Sequence, residues 1–380
     1  MIRKQIMRKI KWMKRPVSLA LALACVAGMI LCACDRAPEQ TTENTAWTMP
    51  EIQTTETEPA VSKNPKDISP YKAITLDGVR EHSVTTEEFC YIEGDKYIIL
   101  LDRDITIPGD FAANIEQILD EIESQLGISS IPDTYPDCVV NNNSSYYGTG
   151  FNPWDGWEIG KKIAIFIVAD REPKGYISCA DASEALFCEY ELFSDELWDS
   201  IPEFRDNPWR RNDYIDYSNF AHELTHTVTG RNCSLSHIMT EGIADYMGYS
   251  VVKALADKNP VMAEVLKKKN WDEGPIPETV HAENAETIFV ADYNTLSMAE
   301  RGPEYYYGKR LWQFLFEEYG SDAFSKVCAK LQADQVTYDY YSAYDEAAMK
   351  KYAEYLKELF GDDVFSRFGN WCVKNNYLQR

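Results

Sequence analysis

Histidine is scarce in this chain, with five among 380 residues. Imidazole chemistry therefore has few places to reside. The ten cysteines include no CxxC pair, which excludes the usual cysteine-based zinc site. Basic residues are in deficit: 38 Lys and Arg stand against 61 Asp and Glu, for a formal net charge of −23. A surface so acidic repels nucleic acid and anionic lipid, so neither is expected as a partner. No internal repeat is visible, which excludes a solenoid or an array. Long apolar runs are also missing from the body of the chain. The one near the N-terminus is short for a membrane span. What remains is 45% hydrophobic and 13% aromatic, enough to bury a sizeable core.

The N-terminus reads as an address. Residues 1–33 carry seven basic residues, ending at Arg15, and no acid. The apolar run VSLALALACVAGMILCAC follows. Its end, Leu31-Cys32-Ala33-Cys34, resembles a bacterial lipobox, with Cys34 as the lipidated residue. Cleavage there predicts a diacylglyceryl anchor and a protein on the outer face of a bacterial cytoplasmic membrane. A plain signal peptide and an uncleaved anchor are the alternatives. Without residues 1–33 the net charge is about −30. Residues 34–70 are rich in Thr, Glu, Pro and Gln and poor in apolar residues, so they are expected to form a tether without a core. Seven cysteines remain in the body, Cys90, Cys138, Cys179, Cys188, Cys233, Cys328 and Cys372. An odd number leaves at least one thiol or an intermolecular bond.

Residues 71–380 are expected to form one α+β body, with a sheet-containing half over 71–205 and a helical half over 206–380. The β-rich runs Phe89–Ile92 and Tyr97–Leu101 flank Glu93-Gly94-Asp95-Lys96 and predict a hairpin. In DFAANIEQILDEIESQLG the apolar residues recur at helical spacing, and Gly127 stops the pattern. Residues 133–160 read as a long loop. KIAIFIVA, Lys162–Ala169, reads as a buried strand, and Ala185–Phe193 as another, at a sheet edge. Helices are expected over 214–229, 239–257, 304–318, 322–332, 345–360 and 363–374.

Two of the five histidines fall in one motif. AHELTHTVTG places His222 and His226 four apart, so a helix presents both from one face to a single ion. Glu223 is rotated aside, where it can reach a water and act as general base. Ile215, Phe220, Leu224 and Val228 give this helix an apolar face, and Gly230 is expected to end it. Catalytic zinc takes three protein ligands and keeps an open position. The segment Met239–Tyr246 supplies Glu241 and Asp245, again four apart. We assign Glu241 to the metal and Asp245 to a ring N–H of His222; the exchanged assignment is the alternative.

HELTH followed by TEGIADY resembles the gluzincin metallopeptidases, the group that contains thermolysin and the membrane-alanyl-aminopeptidase type. The resemblance covers about residues 215–320 and implies a zincin-like fold, a Zn2+ cofactor and hydrolysis of peptide bonds. It also implies the glutamate of the second helix, Glu241, as third ligand. Metzincins are excluded, because Thr229 and Asn232 stand where their glycine and third histidine belong. Fourteen residues separate His226 from Glu241, fewer than in thermolysin and the aminopeptidases, so the connection must be tight. Downstream, PEYYYG opens a helix, and in the aminopeptidase branch a tyrosine three residues before such a glycine stabilises the oxyanion. Tyr305 holds that place, with Tyr306, Tyr307, His237 and His281 as other donors. No Gly-x-Met-Glu-Asn segment is found upstream, so aminopeptidase specificity is not implied. The expected function is that of a lipid-anchored extracellular zinc metallopeptidase acting on peptides or proteins. The competing reading is a binding or sensing lipoprotein that keeps zinc without activity.

Overall fold

The strands buried along their whole length lie in the middle of a sheet. Tyr97–Asp102 (β3), Ile163–Ile167 (β4) and Glu184–Phe187 (β6) are buried at every residue. They run parallel, β3 beside β4 and β4 beside β6. Burial on both faces is what parallel strands require. Antiparallel neighbours close the two sides: Glu88–Glu93 (β2) then Lys72–Thr75 (β1) beyond β3, and the two-residue Cys179–Ala180 (β5) beyond β6. The result is a mixed six-stranded sheet in the order β1-β2-β3-β4-β6-β5. The expected hairpin is β2–β3, paired from Phe89 with Asp102 to Glu93 with Ile98.

The computed structural model describes residues 72–75, 88–133, 162–169, 178–180, 182, 184–271, 280–291, 298–336 and 346–375. They belong to one compact unit, Met49–Glu172 with Ile177–Arg380. The signal, Cys34, the tether and the 133–160 loop beyond its first residue lie outside the described residues.

Eleven α-helices are described. Phe111–Leu126 (α1) links β3 to β4 and buries Phe111, Ile115, Ile118, Leu119, Ile122 and Leu126, the face expected from the spacing. Gly127 ends it at φ 65° and donates its N–H to Glu123. Two short helices, Asp195–Ser200 (α2) and Pro202–Arg205 (α3), follow the sheet. Then come Tyr217–Gly230 (α4), His237–Leu255 (α5), Pro260–Lys268 (α6), Ala285–Phe289 (α7), Met298–Tyr319 (α8), Ala323–Ala333 (α9), Glu346–Phe360 (α10) and Val364–Lys374 (α11). The molecule is thus α+β, with the sheet in its first half and mostly helix in its second. Among the described residues no helix is long and apolar enough to cross a membrane.

Aromatic rings join sheet to helices. Phe220 of α4 stacks on Phe187 of β6 with centroids 4.2 Å apart, and Phe111 of α1 meets it edge-on at 5.4 Å. On the far side of α5, Trp312 of α8 is fully buried and donates its indole N–H to the Met239 carbonyl at 2.8 Å.

One expectation is corrected. The strand near Ala185 ends at Phe187, turns into a 3₁₀ segment at Tyr190–Leu192, and lies inside the sheet; β5 is the edge. Gly230 is the last residue of α4, as expected, but it does not form a left-handed cap. It is still helical, and Arg231 follows in right-handed geometry. Its use is space: a Cβ there would lie 3.1 Å from the Ala182 Cβ. The five described cysteines, Cys179, Cys188, Cys233, Cys328 and Cys372, are thiols.

Candidate metal centre

The helix that carries HELTH is built for a buried setting. Asp216 caps its N-terminus by accepting the Ser218 N–H, and Lys269 ties the cap down through Asp216 at 2.8 Å and Ser218 at 2.6 Å. The buried hydroxyls of Thr225 and Thr229 donate to the carbonyls one turn back, Ala221 and Thr225. These bonds offset the desolvation of the two hydroxyls.

The short connection to α5 is anchored residue by residue. Arg231 is fully buried and donates to the carbonyls of Ala182 at 2.7 Å, Ser130 at 2.9 Å and Lys162 at 3.2 Å. Asn232 donates to Val228 and Ser129. From the helical half, Gln332 donates to the Asn232 carbonyl and Tyr352 to that of Ser234. With these bonds fourteen residues suffice to bring α5 back beside α4. Gly248 allows the approach, since a Cβ there would stand 3.1 Å from the Ser218 carbonyl oxygen and 3.7 Å from the His222 Cβ.

Three donor atoms converge where the helices meet. His222 Nε2 and His226 Nε2 are 3.1 Å apart. Glu241 Oε2 is 3.7 Å from the first and 3.4 Å from the second. A tetrahedral ion bound at about 2.0–2.1 Å keeps its ligand atoms about 3.3 Å apart, so the triangle has the size zinc needs. Among the described residues this is the one His, Cys, Asp and Glu group with that convergence. Two neutral imidazoles and a carboxylate also match zinc's ligand chemistry. Asp245 is not in the triangle. Its Oδ1 lies 2.9 Å from His222 Nδ1, which puts a proton on Nδ1 and turns the Nε2 lone pair inward. Glu241 stands with the two imidazoles, and Asp245 meets His222 from outside the triangle.

Charge in the site is unbalanced toward the negative. Burial alone favours a neutral His222, yet hydrogen bonds to Asp245 and Glu241 and the charge of Glu223 hold it well above the usual imidazole range. Burial alone would raise Glu241, but the His226, His222 and His237 rings hold it well below the carboxylate range. Glu223, 7% exposed, is pushed upward by burial; the two histidines partly offset this, while Glu241 and Asp245 add repulsion. Glu223, Glu241 and Asp245 thus gather around the His222, His226 and His237 rings, a setting that favours added positive charge. Either a proton or a divalent cation can supply it.

Tyr305 reaches this region through a contact between two glycines. A Cβ on Gly242 of α5 would fall 2.2 Å from the Gly308 carbonyl carbon, and one on Gly308 of α8 would fall 2.0 Å from the Ile238 oxygen. Backbone rests on backbone, and Tyr305, one turn before Gly308, meets His237 edge to face with centroids 6.2 Å apart. Tyr307 points elsewhere; it is buried and donates to the Ala285 carbonyl at 2.6 Å. His281 precedes α7, and its backbone N–H donates to the Asn284 side chain that stands at the helix N-cap. No protein-family model matches the chain, and no curated protein matches it. The residues of the site therefore carry the functional argument alone.

Proposed function

We propose that this chain is a zinc-dependent metallopeptidase of the gluzincin type with a zincin-like fold. Its Cys34 lipid anchor holds it at the outer face of a bacterial cytoplasmic membrane, where it acts on peptides or proteins. The observation that carries the reading is the 3.1, 3.4 and 3.7 Å triangle of His222, His226 and Glu241, with Glu223 buried alongside. The sequence supports the anchor through residues 1–34, and the net charge of −23 argues against a nucleic-acid partner.

His222, His226 and Glu241 would hold the ion. Bound there, zinc would supply Lewis acidity to a reacting oxygen. Asp245 keeps His222 in the tautomer that faces inward. Glu223 takes a proton from the attacking water and delivers it to the leaving amine nitrogen. Tyr305 donates its hydroxyl proton as a hydrogen bond to the oxygen that becomes negative when the carbonyl is attacked.

Cleavage of a mixed peptide library, read by mass spectrometry, tests the reading. The wild-type protein is expected to cut, and Glu223→Gln to keep its metal and lose at least about a thousandfold in kcat. Equal cutting by Glu223→Gln would remove the general base and this mechanism. Bound zinc with no cutting by either protein would favour the binding or sensing lipoprotein.

A further inference from the structure

Glu241 has two carboxylate oxygens, and they face different partners. Oε2 faces the imidazoles of His222 and His226. Oε1 lies 3.7 Å from Nδ1 of His237, within ion-pair range but longer than a hydrogen bond. His237 stands one turn before Glu241 at the start of α5, so the two project from one face of the helix. The His237 ring is 9% exposed, and Tyr305 packs edge-on against it. No nitrogen of His237 belongs to the converging set of donor atoms. Its polar edge meets the site through the carboxylate.

We infer that His237 is a positioning residue, which holds Oε1 of Glu241 and so presents Oε2 alone to a metal ion. The inference rests on reading His222, His226 and Glu241 as the metal centre. A carboxylate held at neither oxygen rotates and can offer both. Using both would fill the position that a catalytic site keeps open. A partner on the outer oxygen removes that choice and reduces the ordering needed on binding. Packing against Tyr305 involves the ring, whereas the Nδ1–Oε1 approach brings an imidazole nitrogen near the ligand carboxylate.

The test compares the full chain with His237→Ala, His237→Gln and His237→Phe. Glutamine keeps an N–H for Glu241, whereas phenylalanine keeps the ring for Tyr305. Each is stripped of metal, checked for folding by circular dichroism, and titrated with zinc against a chromophoric chelator. Where the chain cuts peptide, kcat and KM are measured as well. Loss of the partner is expected to weaken zinc binding about 10- to 100-fold in His237→Ala and His237→Phe, with His237→Gln recovering most of it. In the same two variants kcat falls while KM stays within about twofold. Should His237→Ala fail to fold, the contrast between glutamine and phenylalanine decides. Unchanged zinc affinity in the variants, or recovery by phenylalanine and not by glutamine, overturns the inference while the metal centre stands. A wild-type chain that binds no zinc overturns both.

Discussion

At the scale of single residues, local spacing carried most of the site. His222 with His226, and Glu241 with Asp245, are pairs whose meeting depends only on both segments being helical. His237 stands in the same i, i+4 relation to Glu241, but the apolar pattern begins at residue 239 and leaves it before the helix; α5 starts at His237 itself. Glu189 gave no signal in the sequence, because its burial depends on how the end of β6 packs on α4. There Asn219 donates to Glu189 at 2.6 Å, and burial, reinforced by Glu191 and Asp216, pushes its carboxyl up to about 8. Folding therefore favours a protonated Glu189. That contribution is complete below about pH 4.5, where the unfolded chain also holds the proton, and is lost as pH rises toward 8. Glu189→Gln keeps an acceptor for Asn219 without the charge. Thermal melts should show little change near pH 4.5 and a gain of about 5 °C near pH 8. Equal gains at both values would mean that Glu189 does not titrate in this window.

At the scale of elements, strong periodicity was decisive and tertiary contact was not readable. The β2–β3 hairpin, α1 and β4 follow from alternation, a 3.6-residue period and an unbroken apolar run. Helix α6 went unread although its start was written in Asn259-Pro260: the asparagine side chain accepts from Val261 and Met262, and proline opens the helix. The short α2, α3 and α7 have too few turns to show a period. The α5–α8 crossing was hidden because Gly242 and Gly308 mark it only once they are seen in contact. That crossing yields a prediction. Gly242→Ala puts a methyl group against backbone that no side-chain rotation can clear, so the helices must part. Stability should fall by about 2 kcal/mol, as for an overpacked core. Since Tyr305 moves with α8 and the histidines do not, kcat should fall at least about tenfold while bound zinc stays at one per chain. Loss of zinc in parallel with kcat would show that the crossing supports the ligands rather than Tyr305.

At the scale of the whole molecule, an acidic body surrounds a site that itself favours positive charge. Peptides rich in Lys and Arg should be cut about tenfold more efficiently than acidic ones of equal length at low salt, and the gap should close near 0.5 M salt as screening sets in. A preference that survives high salt would place the discrimination in contacts at the cleft. All of these expectations about catalysis depend on the metal. Elemental analysis of the purified chain after zinc reconstitution and dialysis, beside His222→Ala and Glu223→Gln, addresses it most directly. We expect one zinc per chain in the wild type and in Glu223→Gln, and none in His222→Ala. Absence of zinc from the wild type, or an equal content in His222→Ala, would contradict a centre built from His222, His226 and Glu241.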